Sequence, residues 1–212
     1  VTYYDDGVNG RIFFVAESFL YCLDAITGEL INSFGDNGKT TLNKGFDRNT
    51  KELFISMTTP GIIFENLLIL GSRVLDSSNQ KTIPGDIRAF NVLTGEIVWT
   101  FNTIPRPGEN GYDTWPKDSW KNEYLTVNSW GGFTLDEKNE IVFFGTGSPS
   151  YDHWGGNRLG DNLFGNCIIA LEANTGKRIW HYQTVHHDLW DYDIPCPPNL
   201  VQVNVDGKLI DA

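Results

Sequence analysis

Basic residues are scarce in this chain. Sixteen Lys and Arg stand against 27 Asp and Glu, a formal net charge of −11 over 212 residues. A surface this acidic repels a phosphate backbone, so nucleic acid is excluded as a partner. Long apolar runs are missing as well. The longest, at 11–17 and 61–71, fall short of the ~18 residues of a membrane-spanning helix and suit strands instead. Cysteine is sparse: Cys22, Cys167 and Cys196 are odd in number, far apart and without a CxxC pair. That excludes a disulfide framework and a cysteine zinc site. Cys22 and Cys167 read as strand residues packed in a core.

Long helical patterns are absent too, while Gly reaches 22 and aromatics 13%. This balance points to an all-β chain, long enough to bury a substantial core. The sequence opens at Val1 without a leader and stops at 208–212 as a strand begins. Both ends read as cuts through a longer protein or as a processed product.

An internal repeat organises what is there. Leu20-Tyr-Cys-Leu-Asp-Ala-Ile-Thr-Gly-Glu-Leu-Ile31, Ile87-Arg-Ala-Phe-Asn-Val-Leu-Thr-Gly-Glu-Ile-Val-Trp99 and Ile168-Ile-Ala-Leu-Glu-Ala-Asn-Thr-Gly-Lys-Arg-Ile-Trp180 align. Each has an apolar strand, an Asp, Asn or Glu, a turn closing on Thr-Gly and a second alternating strand. Gly supplies positive φ, and the acidic or amide side chain can bond turn N–H groups. Trp99 and Trp180 stand four residues after their glycines, placed to dock between adjacent sheets. Gly28, Gly95 and Gly176 are 67 and 81 residues apart, more than the roughly 40–50 residues of a bare four-stranded blade. The excess falls in loops at 102–128 and 148–166. Further strands are expected at 62–70 and 141–145, giving four per unit. The pattern predicts β-propeller blades, three to four of them, in one domain over 1–212.

The densest chemistry follows the third repeat. Asp188, Asp191 and Asp193 lie beside His186 and His187, among Trp190 and Tyr192. A carboxylate held in a pocket walled by indoles can act as a general base or bind a hard cation. Asp193 reads more simply as a solvated loop residue. Gly145-Thr-Gly-Ser-Pro149 ends an apolar strand and lets a backbone approach a ligand, but without a following Gly-Lys-Ser/Thr it is not a phosphate loop. Trp130, in Asn128-Ser-Trp-Gly-Gly132, can present a flat face to a planar ligand. Thr58-Thr-Pro60 and Gly71-Ser-Arg-Val-Leu-Asp76 flank another apolar strand.

These residues resemble the quinoprotein dehydrogenases that use pyrroloquinoline quinone (PQQ), most closely the glucose-dehydrogenase-like branch. The likeness runs through nearly the whole chain. Its most specific parts are Gln183-Thr-Val-His-His-Asp-Leu-Trp-Asp191, the hairpins, Phe101-Asn-Thr-Ile-Pro-Arg-Pro-Gly108 and Ser33-Phe-Gly-Asp-Asn-Gly38. The resemblance implies part of an eight-bladed propeller holding PQQ and a divalent cation, Ca²⁺ or Mg²⁺. It implies Asp191 as catalytic base, Trp130 stacked under the PQQ plane, and Thr58 and Arg73 at its carboxylates. Asp76, Ser148 and Asp191 would face the cation. Ser stands where the alcohol-oxidising branch has Asn, and Asp76 where that branch has Glu. The implied reaction takes an alcohol or aldose hydroxyl to a carbonyl or lactone by hydride transfer to the quinone. Electrons then pass to a quinone or cytochrome acceptor, in a periplasmic or secreted setting.

Two other readings stand beside this one. A non-catalytic propeller scaffold would carry the same hairpins without a redox site. An inactive fragment of a dehydrogenase would expose strand edges and favour self-association, or completion by missing segments.

Overall fold

A computed structural model describes residues 1–76 and 80–212. Its helical content among the described residues is two short 3₁₀ turns, Tyr112–Thr114 and Ser119–Lys121. The first sheet contains β1 (Thr2–Asp5), β2 (Gly10–Ala16), β3 (Phe19–Asp24) and β4 (Lys39–Thr41), paired in chain order. The chain continues through β5 (Ile55–Ser56), β6 (Ile62–Phe64), β7 (Leu67–Leu70), β8 (Arg73–Val74), β9 (Ile87–Asn91) and β10 (Ile97–Phe101). Of these, β6, β7, β9 and β10 form the second sheet, and β5 pairs with β8 outside it. The third sheet is β11 (Phe133–Asp136), β12 (Ile141–Gly145), β13 (Cys167–Glu172) and β14 (Arg178–Gln183). A terminal hairpin, β15 (Gln202–Val205) and β16 (Lys208–Asp211), has exposed residues throughout both strands. The pairings within the three sheets are antiparallel. Three four-stranded units match the blades expected from the repeat.

Two cores separate these sheets, and strand periodicity decides which residue enters which. On β7, Leu68 and Leu70 face the first sheet with Phe13, Leu20 and Cys22. Leu67 and Ile69 face the third with Val142, Phe144, Cys167 and Ile169. Alternate side chains leave opposite faces of a strand, so a blade between two others is apolar on both sides. The outer face of the third sheet is less well covered: Trp180 is 43% and Tyr182 66% exposed. The long loop at 102–128 holds a small core of its own, built on Ile104, Trp115, Leu125 and Val127.

The repeated turns work largely as expected. Asp24 Oδ1 accepts from the amides of Ile26 and Thr27, and Asn91 Oδ1 from those of Leu93 and Thr94. These bonds, Thr27 first, hold the Asp24 carboxyl below its ordinary range. Glu172 is longer and takes the Thr175 hydroxyl instead. Docking between blades follows from the same turns. The Trp99 indole lies on the turn of the third unit, its Nε1–H donating to Ala173 O at 3.1 Å.

The first unit departs from the expected pattern. Its second hairpin arm is reduced to a single bridge, Leu23 to Leu30, and β4 takes the fourth place in the sheet. Lacking a Trp at the repeat offset, it docks through fully buried Phe34. That ring packs under Gly95, and the next amide, Gly35 N–H, donates to Thr94 O.

Candidate active site

Six segments meet at one end of the second and third sheets, joined crosswise by hydrogen bonds. Thr58 and Thr59, just past β5, both donate their hydroxyls to Trp130 O. Ser72 N–H donates to Ser129 O, and Asn128 Nδ2 returns a bond to Ser72 O. Gly147 N–H donates to Asn128 O, Asn166 N–H to Gly147 O, and Thr184 N–H to Asn166 O. Blade ends remote in sequence are thereby laced into one surface.

Glycine makes the close approach possible. A Cβ on Gly71 would meet Ser129 O at 2.1 Å, and one on Gly145 would meet Ile194 Cγ2 at 2.4 Å. A Cβ on Gly131 would meet Pro195 O at 2.4 Å, and one on Gly147 the Asp193 carboxylate at 2.7 Å. The Gly-Thr-Gly-Ser-Pro motif and the Trp-Gly-Gly motif are therefore the bed on which residues 193–195 lie.

Asp193 is not the solvated residue its loop position suggests. Its Oδ2 accepts the Trp130 indole N–H at 2.7 Å and its Oδ1 the Ser148 amide at 2.7 Å. It joins the two motifs and orients the half-buried indole. Asp188 is buried more completely, at 1% exposure. Its carboxylate accepts from Ser148 Oγ (2.5 Å), Asn166 Nδ2 (3.0 Å) and the amides of Tyr192 (2.7 Å) and Trp190 (2.9 Å). Burial works to raise its pKa. The bonds from Ser148, Trp190, Tyr192 and Asn166 outweigh that and hold it below the ordinary range. Of the two histidines, His187 places Nδ1 within 2.9 Å of Gly160 O and 3.1 Å of Asn162 Oδ1.

Asp191 stands on the turn that Asp188 holds, exposed and in left-handed backbone geometry at φ 59°. Its carboxyl is raised from the ordinary value by partial desolvation and then by Asp193, with Asp76 and Asp188 adding and His153 opposing. Asp152, which the sequence did not single out, belongs to the same group. Burial, followed by the charges of Asp76, Asp191 and Asp193, pushes its carboxyl up to about 7. No local motif marks Asp152, because its charged neighbours Asp76, Asp191 and Asp193 come from two other segments.

The other expected residues fall at this end too. Arg73 lies on β8 opposite Ser56, exposed, with its guanidinium 5.3 Å from the centre of the Phe54 ring. Asp76 is half-buried. Ser148 is buried, and its hydroxyl is committed to Asp188. Among the described residues no three His, Cys, Asp or Glu side chains form a group that could hold a metal ion. The oxygen-rich, mutually repelling carboxylates nevertheless suit a hard divalent cation, which would draw its remaining ligands from beyond this set. An exposed guanidinium at the same end suits an anionic, carboxylate-bearing ligand.

The sequence profile of the PQQ-dependent glucose/ethanol/alcohol dehydrogenase β-propeller domain matches residues 1–212. The chain belongs to this family. It is 37% identical over 199 residues to a quinate/shikimate dehydrogenase (quinone) of Acinetobacter baylyi, covering 93% of this chain and 23% of that protein. To a quinoprotein glucose dehydrogenase of Escherichia coli it is 34% identical over 197 residues, 92% of this chain and 24% of the relative. The quinohemoprotein alcohol dehydrogenase structure from Comamonas testosteroni superposes with a TM-score of 0.74 at 24% identity, over 96% of this chain and 30% of that one. A europium-containing methanol dehydrogenase gives 0.72 at 20% identity, over 99% and 36%. The structural likenesses establish the propeller fold. The chain spans about a quarter of the curated relatives' length.

Proposed function

We propose that this chain is the part of a PQQ-dependent dehydrogenase that carries its catalytic base, Asp191, and one wall of the cofactor site. The observation carrying this reading is the placement of Asp191. It rides a turn anchored by a buried carboxylate, beside the Asp193–Trp130–Ser148 link, with its own proton affinity raised by its surroundings. A carboxylate with raised affinity, at the surface where a substrate can reach it, is suited to take the proton of a substrate hydroxyl.

Trp130 would offer its face to PQQ, oriented by Asp193, while Thr58 and Arg73 would meet the cofactor's carboxylates. Asp76 and Asp191 would supply carboxylate oxygens to Ca²⁺ or Mg²⁺. Ser148, its hydroxyl engaged by Asp188, would contribute through its backbone. PQQ when bound supplies the two-electron acceptor, and the cation the Lewis acid that polarises it.

The substrate class is an alcohol or polyol hydroxyl, with aldoses first by resemblance and cyclic hydroxy acids next by the quinate-oxidising relative. A membrane quinone or a cytochrome in a periplasmic or secreted setting would take the electrons. Completion of the propeller by further segments would cover the outer face of the third sheet.

The test is Asp191→Asn in the whole protein reconstituted with PQQ and Ca²⁺. Cofactor binding, read by tryptophan quenching, should persist while dye-linked turnover with glucose or quinate disappears. Retained turnover would sink the assignment.

A further inference from the structure

We propose that Asp188 is a positioning residue, whose buried carboxylate holds the 190–192 turn and thereby fixes where Asp191 presents its side chain. The inference rests on Asp191 being the base. Its basis is a convergence of four donors on one carboxylate, unmatched among the described residues. One Asp188 oxygen accepts from Ser148 Oγ, Asn166 Nδ2 and the Tyr192 amide, and the other from the Trp190 amide. The two amides flank Asp191 on either side, so the turn is held at both of its shoulders.

The anchor is itself fastened. Asn166 Nδ2 also donates to Tyr192 O at 2.8 Å, closing a second bond onto the turn. Behind the carboxylate, the fully buried Arg158 donates to Asp188 O at 2.5 Å, to Tyr151 O at 3.1 Å and to Asn162 Oδ1 at 2.8 Å. Arg158 thereby ties the turn to the 148–166 loop. The Asp191 backbone, at φ 59°, is a geometry that a free loop residue seldom keeps. Four charge-assisted bonds in a dry setting are sufficient to over-determine it. The chemistry demands this, because a displacement of about 1 Å in a reacting group can cost roughly a hundredfold in rate.

Asp188→Asn keeps the shape but turns one acceptor edge into a donor that faces donors. The experiment measures four quantities on the whole protein. They are amide hydrogen exchange at Trp190 and Tyr192 without cofactor, PQQ affinity by tryptophan quenching, and kcat and KM of the PQQ- and Ca²⁺-loaded enzyme. We expect exchange at both amides to accelerate roughly tenfold or more. We expect kcat to fall by about a hundredfold, with KM and PQQ affinity nearly unchanged.

Unchanged exchange and unchanged kcat would overturn the proposal. So would a loss expressed wholly in KM or cofactor affinity. Should Asp188→Asn fail to fold, Asn166→Gly removes one donor at a backbone position, φ 51°, that glycine accepts freely. It should shift exchange and kcat in the same direction by less, and wild-type values for both would refute the idea. Asp191→Asn runs alongside. If it stays active while Asp188→Asn loosens the turn, the base assignment fails and the anchoring of the turn stands.

Discussion

The three repeat glycines form a matched set for measuring how blades dock. Their backbones are nearly the same: φ is +72° at Gly28, +73° at Gly95 and +69° at Gly176. Alanine at any of them meets the same left-handed penalty, about 1–2 kcal/mol, less a few tenths to about 1 kcal/mol returned through a stiffer unfolded chain. What differs is the neighbour. A Cβ at Gly28 meets nothing within 4 Å, one at Gly95 meets the Phe34 ring at 3.0 Å, and one at Gly176 meets the Trp99 indole at 2.4 Å.

Gly28→Ala should therefore cost about 1 kcal/mol. At Gly95 the ring must yield by a few tenths of an ångström, at a modest additional cost. At Gly176 the indole must leave its seat, which adds an overpacking cost of about 1–3 kcal/mol and strains its bond to Ala173 O. Urea unfolding followed by circular dichroism would rank the variants 28, then 95, then 176 in loss of stability. Equal losses, within ~0.5 kcal/mol, would refute the claim that these turns are the docking seats.

Other outcomes follow from the site and the cores. Asp152, with its carboxyl pushed up to about 7, binds a proton more tightly when folded than when unfolded. Its contribution is full below about pH 4 and is lost as pH rises through about 7, so stability falls across that window. Asp152→Asn should flatten the slope in denaturation curves taken from pH 4 to 7, and an unaltered slope would contradict the placement. Asp193→Asn cannot accept at both edges and strands either the Trp130 indole N–H or the Ser148 amide. It should cost about 1–3 kcal/mol in the same assay and weaken PQQ-dependent quenching. A thiol reagent on the folded chain should label Cys196 alone, since Cys22 and Cys167 are buried and the Cys167 thiol is pushed up to about 12 by burial. Peptide mass mapping reads the outcome, and rapid labelling of Cys167 would contradict its burial.

The repeat, the all-β class and the blade count were legible in the residues because their causes are local. An Asx residue bonding turn amides and a glycine at positive φ act within five positions, as at 24–28 and 91–95. Period-2 apolar strands disclosed the cores for the same reason. Docking through Trp99 was legible from its offset after Gly95. Docking through Phe34 was not, because the first unit lost its hairpin arm and moved the seat two residues along the chain.

The family likeness put Trp130, Ser148 and Asp191 in one place; in the structure Asp193 bonds Trp130 and Ser148, and Asp188 holds the turn that carries Asp191. The roles of the residues between them were set only by tertiary contacts. Asp188, Asp191 and Asp193 look alike in sequence, three acids within six positions. Folding sends the first into a dry nest of four donors, leaves the second exposed on the turn, and bonds the third to an indole and an amide from other segments. Those partners lie up to 63 residues away. Long-range pairing, rather than residue type, decided which carboxylate was buried as an anchor, which stayed exposed on the turn and which became a link.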